Sequence, residues 1–486
     1  MAQPQSIPFD PADAKAALSQ LPTSAAVFAL YGADAHAEPY MGRTPNLRGR
    51  LERLLQPSPK HPRRLQLASR VRRIEWRLTG SDFESLLLQF EMLQGVYGAK
   101  SLERMHLGAP SFVRFLGGNR YPRITVTNKP SQREADWSYG PFSSRAAAER
   151  YADEALKLFL LRRCVEELDP NPAHPGCIYS EMKMCLAPCY QGCTDERYSE
   201  ESAAVERFLA TRGESRLVTL RTQRDEASTN LEFETAAGFH AQIQRVEAVR
   251  GLAAELMRPM SQLRALILQA SAASDEVAVF IFDGGRLRGP VGFSTLGMRI
   301  QNEQSGSSSL YAQPMAIEPV VEVQGSGFRV QGSEGREQGL GTRDQGLVES
   351  GGADGPGAAE NSELIQGTWN REQGVESSGS LPMDAQAAVH KSLTDVRMKL
   401  ARGVLETRLE EALATLATPT APPSATERQG HLALLKRWYY RPEVRRSGEV
   451  FFPDEDGAWP TRAILRGIGR VAAKQLHVPM GEGRPG

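Results

Sequence analysis

The chain holds five cysteines, Cys164, Cys177, Cys185, Cys189 and Cys193, all within one 30-residue stretch. Thiolates gathered this way in a reducing compartment are ligands for zinc or for an iron–sulfur cluster. The spacing contains no CxxC pair, so a zinc ribbon is not specified, and buried structural thiols remain the alternative. A second group is Tyr40-Met41-Gly42-Arg43 followed by Arg50. Arg50 lies three residues after Leu47 and four before Leu54, on or beside the apolar stripe of a helix, where an unpaired charge is costly. Its guanidinium therefore calls for a partner or an anionic ligand, and it suits a phosphate whose charge grows in a transition state. The alternative is an arginine that reaches past the stripe to water.

A third group is electrostatic. Residues 41–80 carry 11 Lys and Arg against Glu52 and Glu75, with Trp76 among them. Such a run fits a nucleic-acid backbone or a solvated helix face. Within it Arg63, Arg64, Arg70, Arg72 and Arg73 are the candidate DNA contacts. The last group is Leu231-Glu232-Phe233-Glu234-Thr235-Ala236-Ala237, where two helices should meet near Asn230. Small residues at Ala236 and Ala237 permit close helix approach, with Phe233, His240 and Ile243 on the same face.

The elements that must position these residues follow from local pattern. Val27–Tyr31 reads as a strand, with a second near Tyr40. Asn46 is a helix N-cap, with Leu47, Leu51, Leu54 and Leu55 recurring behind it. Ser81-Asp82-Phe83-Glu84 is a capping box that opens a helix carrying Phe83, Leu86, Leu87, Phe90 and Leu93 on one face. Short strands alternate with turns over 101–145, a helix is expected over 146–164, and 197–250 is helical again. Residues 276–293 read as a hairpin turning at Gly284-Gly285. Residues 301–380 hold 15 of the 44 glycines and few aliphatics, too little apolar surface to offset chain entropy. A helix then runs from about Met383 to Leu416, before a basic–aromatic segment, His431–Arg441.

The 486 residues are 40% hydrophobic and 24% charged, with 58 basic and 58 acidic side chains. That balance excludes a histone-like or polyanionic chain, though it can hide local patches. No apolar run reaches the ~20 residues of a membrane helix, and the first residues lack the basic start and apolar core of a secretory signal. A cytoplasmic protein with no membrane partner is the expectation.

Val27-Phe28, Tyr40-Met41-Gly42, Arg43, Asn46-Leu47 and Arg50-Leu51 together resemble the GIY-YIG nuclease domain of the UvrC/Cho excision-repair endonuclease family. The cysteine context, Leu161–Cys164, Pro175–Tyr179 and Met184–Cys189, resembles that family's cysteine region, and Leu231–Ala237 resembles its UVR motif. The resemblance runs over about 20–295 in family order. It implies an α/β (α+β) GIY-YIG-like N-terminal domain over 21–100 behind a 1–20 tail. A strand/helix connector over 101–163 follows, and then a mostly helical cysteine-rich and UVR region over 164–196 and 197–252. A β-hairpin segment over 253–300, a disordered linker over 301–382 and a helical, basic–aromatic segment over 383–486 complete the chain.

By the same resemblance Tyr40 is the water-activating tyrosine, Arg50 the catalytic arginine, and Arg43 stands where the family usually has lysine. Cys164, Cys177, Cys185 and Cys189 are implied ligands of a [4Fe-4S] cluster. Leu231, Phe233, Ala236, Ala237 and Ile243 are implied contacts to UvrB. Two positions depart. Phe28 replaces the first motif tyrosine, and Gln89 replaces the glutamate that holds Mg²⁺. A neutral amide is a poorer ligand for that hard cation, so a weak or absent Mg²⁺ site is implied. The functions implied are a structure-specific DNA endonuclease working with UvrB in nucleotide excision repair, or an impaired paralogue that binds DNA and UvrB.

Overall fold

The computed structural model describes residues 3–34, 36–56, 67–296, 298, 403–418, 421–454 and 456–476. All of them belong to one compact unit, built from Met1–Met315 and Met398–Gly486. The expected linker over 301–382, the start of the helix near Met383, and Arg63 and Arg64 lie outside the described residues.

The N-terminal sheet has the order β1-β4-β2-β3. Its strands are β1 (Gln5–Pro8), β2 (Ala26–Tyr31), β3 (Tyr40–Thr44) and β4 (Arg73–Leu78), and all its pairings are antiparallel. β2 is a continuous apolar run because both its faces are covered. On one face Phe28 and Leu30 pack with the buried leucines of α2 (Leu47–Leu55). The Asn46 side chain caps that helix by accepting the Gly49 N–H at 2.8 Å. The residues expected to form a tail do not: β1 pairs with β4, and Phe9 and, from α1 (Ala14–Ser19), Leu18 are buried in the same core. These apolar residues are too widely spaced to show a period, and only the long-range pairing reveals their place.

Helix α3 (Asp82–Tyr97) begins as expected, with Ser81 Oγ accepting the Glu84 N–H and the Glu84 carboxylate accepting the Gly80 N–H. Its Phe83, Leu86, Leu87 and Phe90 do not join the N-terminal core. They pack with apolar residues from 263–287 and 432–438 instead. A short turn, α4 (Ser101–Arg104), follows.

The middle sheet, in the order β6-β5-β7-β8, comprises β5 (Ser111–Phe115), β6 (Ile124–Thr127), β7 (Ser138–Phe142) and the short β8 (Arg258–Pro259). Helix α5 (Arg145–Leu156) lies on it. The helix expected over 146–164 ends at Leu156, because the chain turns to bury Arg162. The Arg162 Nε donates to the Tyr121 carbonyl at 3.0 Å and its Nη1 to the Glu166 carbonyl at 2.9 Å. The cysteine loops carry the short α6 (Ile178–Glu181) and a 3-10 turn over Pro188–Tyr190 that holds Cys189. Three helices follow: α7 (Asp195–Ala210), α8 (Glu214–Thr229) and α9 (Phe233–Arg250), the last two forming a hairpin.

The third sheet has the order β11-β10-β9-β12, from β9 (Ala265–Ala270), β10 (Glu276–Asp283), β11 (Arg286–Ser294) and β12 (Glu449–Phe451). Gly284 and Gly285, with φ of 56° and 81°, make the tight β10–β11 turn. Alternate residues of β10 serve two cores. Ala278, Phe280 and Phe282 meet α3 and α11 (Ala425–Tyr439). Val277, Val279 and Ile281 meet the helix over 403–417, here α10, and α12 (Thr461–Leu476). The expected hairpin thus supplies the edge strand β11 and the inner strand β10 of a sheet covered on both faces.

Candidate functional site

In the N-terminal sheet the strand register sorts the candidate residues by face. Phe28 pairs across to Gly42 and Leu30 to Tyr40, so these residues share the face that carries α2. The Phe28 and Tyr40 ring centroids are 6.3 Å apart. The Phe28 ring lies over Gly42, where a Cβ would meet its Cζ at 3.0 Å, which explains glycine there. Arg50 projects from α2 and is partly exposed. Its neighbours are anchored, Arg48 Nε to the Leu21 carbonyl at 2.7 Å and Arg53 Nε to the Gly49 carbonyl at 3.0 Å. Among the described residues Arg50 makes no ion pair or side-chain hydrogen bond. This leaves its donors available to an anion.

Arg43 stands on the opposite face of β3. It pairs across to Val27, and its guanidinium donates to Asp82 at the start of α3. Arg441 donates to the other oxygen of that carboxylate at 2.6 Å. The structure therefore separates Tyr40 and Arg43, which the sequence motif presents together. Gln89 is partly buried on α3, seven residues beyond Asp82 and so on the same stripe about 10 Å along the axis. Glu91 turns elsewhere. Burial pushes its carboxyl up to about 7, with Arg77 opposing and Glu427 reinforcing the shift. Sequence reasoning missed Asp82 and Arg441, because only the tertiary fold brings β3, α3 and the end of α11 together.

Of the expected basic contacts, Arg70 and Arg72 are exposed, the latter donating to the Ser69 and Val71 carbonyls. Arg73 is exposed and stacks 4.1 Å from the Tyr31 ring centre. Trp76 is not interleaved among them at the surface. It pairs with Phe28 across β4 and β2 and is buried in the core.

The cysteine loops bring thiols together. Burial pushes the Cys185 thiol up to about 11, and Cys164, Cys177 and Cys189 lie close enough to add to that shift. Cys189 is likewise raised by burial and then by Cys177 and Cys164. Cys193 is raised by burial and then by Asp195, with Arg197 opposing and Cys189 adding the least. All five thiols are free. The Ala187 N–H donates to Cys185 Sγ at 3.3 Å and Arg162 Nη1 to Cys164 Sγ at 3.6 Å. Left-handed residues at Gly176, Lys183, Ala187 and Gln191 wind the loops tightly. Among the described residues no three His, Cys, Asp or Glu side chains stand close enough to hold a single metal ion.

At the tip of the α8–α9 hairpin, Leu231 and Phe233 are 71% and 67% exposed, and Ala237 is exposed beside a half-buried Ala236. Ile243 differs from its expected role. It is 4% exposed and packs into the middle core, because the lower half of α9 lies against α5 and α8 and only the tip stands clear.

Residues 112–208 match the family model of the UvrC/Cho excinuclease middle domain. Among curated proteins the chain is similar to UvrABC system protein C of Ruminiclostridium cellulolyticum, 27% identical over 61% of this chain and 48% of that protein. It is similar to the protein of that name in Francisella tularensis, 25% identical over 56% of this chain and 42% of the relative. A third, from Alcanivorax borkumensis, is 26% identical over 43% and 34%. The chain thus spans less than half the length of these relatives. No solved structure matches. Among the described residues no helix is long and apolar enough to cross a membrane.

Proposed function

From its kinship with the UvrC/Cho-like excinuclease family, at moderate identity and partial coverage, we propose that this chain acts in nucleotide excision repair as a DNA endonuclease subunit working with UvrB. The observation that carries the reading is the middle-domain match, which encloses all five cysteines. In this reading Arg50 binds the scissile phosphate and stabilises the charge that grows on it. The Tyr40 phenol, on the same side of the sheet, helps orient and deprotonate the attacking water. The exposed Arg70, Arg72 and Arg73 hold the flanking backbone, and the apolar tip at Leu231 and Phe233 is the UvrB contact.

The residues present fit Mg²⁺ poorly. Gln89 is an amide, Glu91 turns toward Arg77, and Asp82 is committed to two guanidiniums. That observation favours a second reading, a DNA- and UvrB-binding module without incision. A nicking assay on lesion-bearing duplex separates the two. Cutting by the natural chain that Arg50→Ala abolishes and Gln89→Glu accelerates supports the endonuclease. Cutting by the Gln89→Glu protein alone supports the binding module.

For Cys164, Cys177, Cys185 and Cys189 the proposal is a [4Fe-4S] cluster. Each thiolate of such a cluster binds a different iron, so the thiols stand farther apart than ligands of one zinc ion. N–H donors to Cys185 and Cys164 would stabilise the sulfur charge. Anaerobically purified protein is expected to be brown, with the colour lost in Cys185→Ser. Stoichiometric zinc without iron would refute the cluster.

A further inference from the structure

We propose that Arg43, Asp82 and Arg441 form a clamp for a DNA phosphate, so that Arg441, from the far end of the chain, is a backbone contact beside the N-terminal sheet. The proposal rests on the DNA reading above and extends it to a residue outside the motif. Two guanidiniums share one carboxylate, Arg43 on one oxygen and Arg441 on the other. The group carries a surplus positive charge. It lies at the surface, with the three side chains 33%, 38% and 26% exposed in the order Arg43, Asp82, Arg441. Burial pushes the Asp82 carboxyl up, but the hydrogen bond from Arg441 and the charge of Arg43 outweigh it, and the carboxyl stays below its usual range.

Each guanidinium has five N–H donors. Among the described residues each spends its side-chain bonds on Asp82 alone, so donors remain for a phosphate, which the planar fork suits. Exposed ion pairs hold a fold weakly, so the surplus cation is better explained by a ligand than by stability. Arg441 is also held in place. The Tyr440 hydroxyl donates to the Pro141 carbonyl at 2.9 Å, Lys436 Nζ to the Ala109 carbonyl at 3.0 Å, and the Arg441 backbone N–H to the Trp438 carbonyl at 3.2 Å. Arg437 and Arg445, four residues before and after it, are exposed and continue the basic surface.

The test is binding of a labelled duplex oligonucleotide by the full chain across about 0.05 to 0.2 M salt. Arg441→Gln should lower affinity roughly three- to tenfold and reduce the slope of log K against log salt by about 0.9. Arg441→Lys should restore most of the slope. In the unaltered protein, duplex should slow phenylglyoxal modification of Arg441, read by mass spectrometry, a measurement that does not depend on any variant folding. Wild-type affinity and slope in Arg441→Gln, or equal modification with and without duplex, overturns the clamp and leaves DNA binding by the rest of the lobe intact. Failure of the unaltered protein to bind any duplex overturns the DNA reading itself, and the clamp with it.

Discussion

Glu91 and His431 lie on facing helices, α3 and α11, with Glu427 near both, and their titrations oppose each other. Burial holds the Glu91 carboxyl up at about 7, against an ordinary value of 4.5. Between those values the folded chain keeps a proton that the unfolded chain has released. Stability therefore falls as pH rises through that window, by about 3 kcal/mol at most. Burial pushes His431 down to about 4, and its Nδ1 accepts the Leu287 N–H at 3.1 Å. Here the unfolded chain takes the proton first, so stability rises as pH climbs from about 4 to about 6.5. The two slopes partly cancel in the natural protein. Glu91→Gln should expose the histidine slope: urea midpoints then increase from about pH 5 to about pH 7, and the variant exceeds the natural chain by about 2 kcal/mol above pH 7. A variant whose pH profile is unchanged from the natural chain's across that range would show that Glu91 is not the group responsible. The sequence presents Glu91 only as a carboxylate on the wrong side of α3 from Gln89. α11, which packs on α3, comes from more than 300 residues along the chain, and no local pattern places it beside Glu91.

At the scale of elements, the helix starts were legible and the helix contacts were not. Asn46 and Ser81 cap α2 and α3 where the sequence puts them, because a cap is a bond between residues two or three apart. Asn46→Ala should cost about 1 kcal/mol, measured by chemical denaturation, with no change in what α2 packs against. The hairpin shows the opposite case. Apolar spacing assigns Phe233 and Ile243 to one face of α9, yet the helix protrudes only at its tip, so the two residues have different fates. Phe233→Asp should leave the unfolding free energy within about 1 kcal/mol of the natural chain's and weaken co-purification with UvrB. Ile243→Asp should cost roughly 4 kcal/mol or more by burying an unpaired charge. Equal stability losses in the two would mean the tip is packed, and unchanged co-purification after Phe233→Asp would remove the tip as the contact.

Across the whole molecule, α3 is the element that joins the candidate nuclease lobe to the rest. Its first residue carries Asp82, and its apolar face is closed by residues from the other end of the chain. The Phe83 ring meets Phe280 edge-on at 5.2 Å and lies 5.4 Å from Trp438. Gly430 of α11 comes so close to Phe90 that an added Cβ would sit 2.0 Å from its Cζ. Trp438 Nε1 donates to the Ser447 carbonyl, which anchors the approach to β12 at the sheet edge. None of this was legible in the basic–aromatic run His431–Arg441, because its apolar residues meet α3 and β10, which lie far away in sequence. Burial settles the matter for Leu434, Leu435 and Trp438, and leaves Arg437 and Arg441 as the residues that face outward. Trp438→Ala should cost about 3–5 kcal/mol through the cavity it leaves. The loss should also travel: amide exchange should quicken in α3 and in β12 together, and duplex affinity should fall because Asp82 and Arg441 lose their fixed relation. If exchange quickens in β12 while α3 keeps its natural protection, the N-terminal sheet alone holds α3, and the far end of the chain has no mechanical hold on the N-terminal lobe.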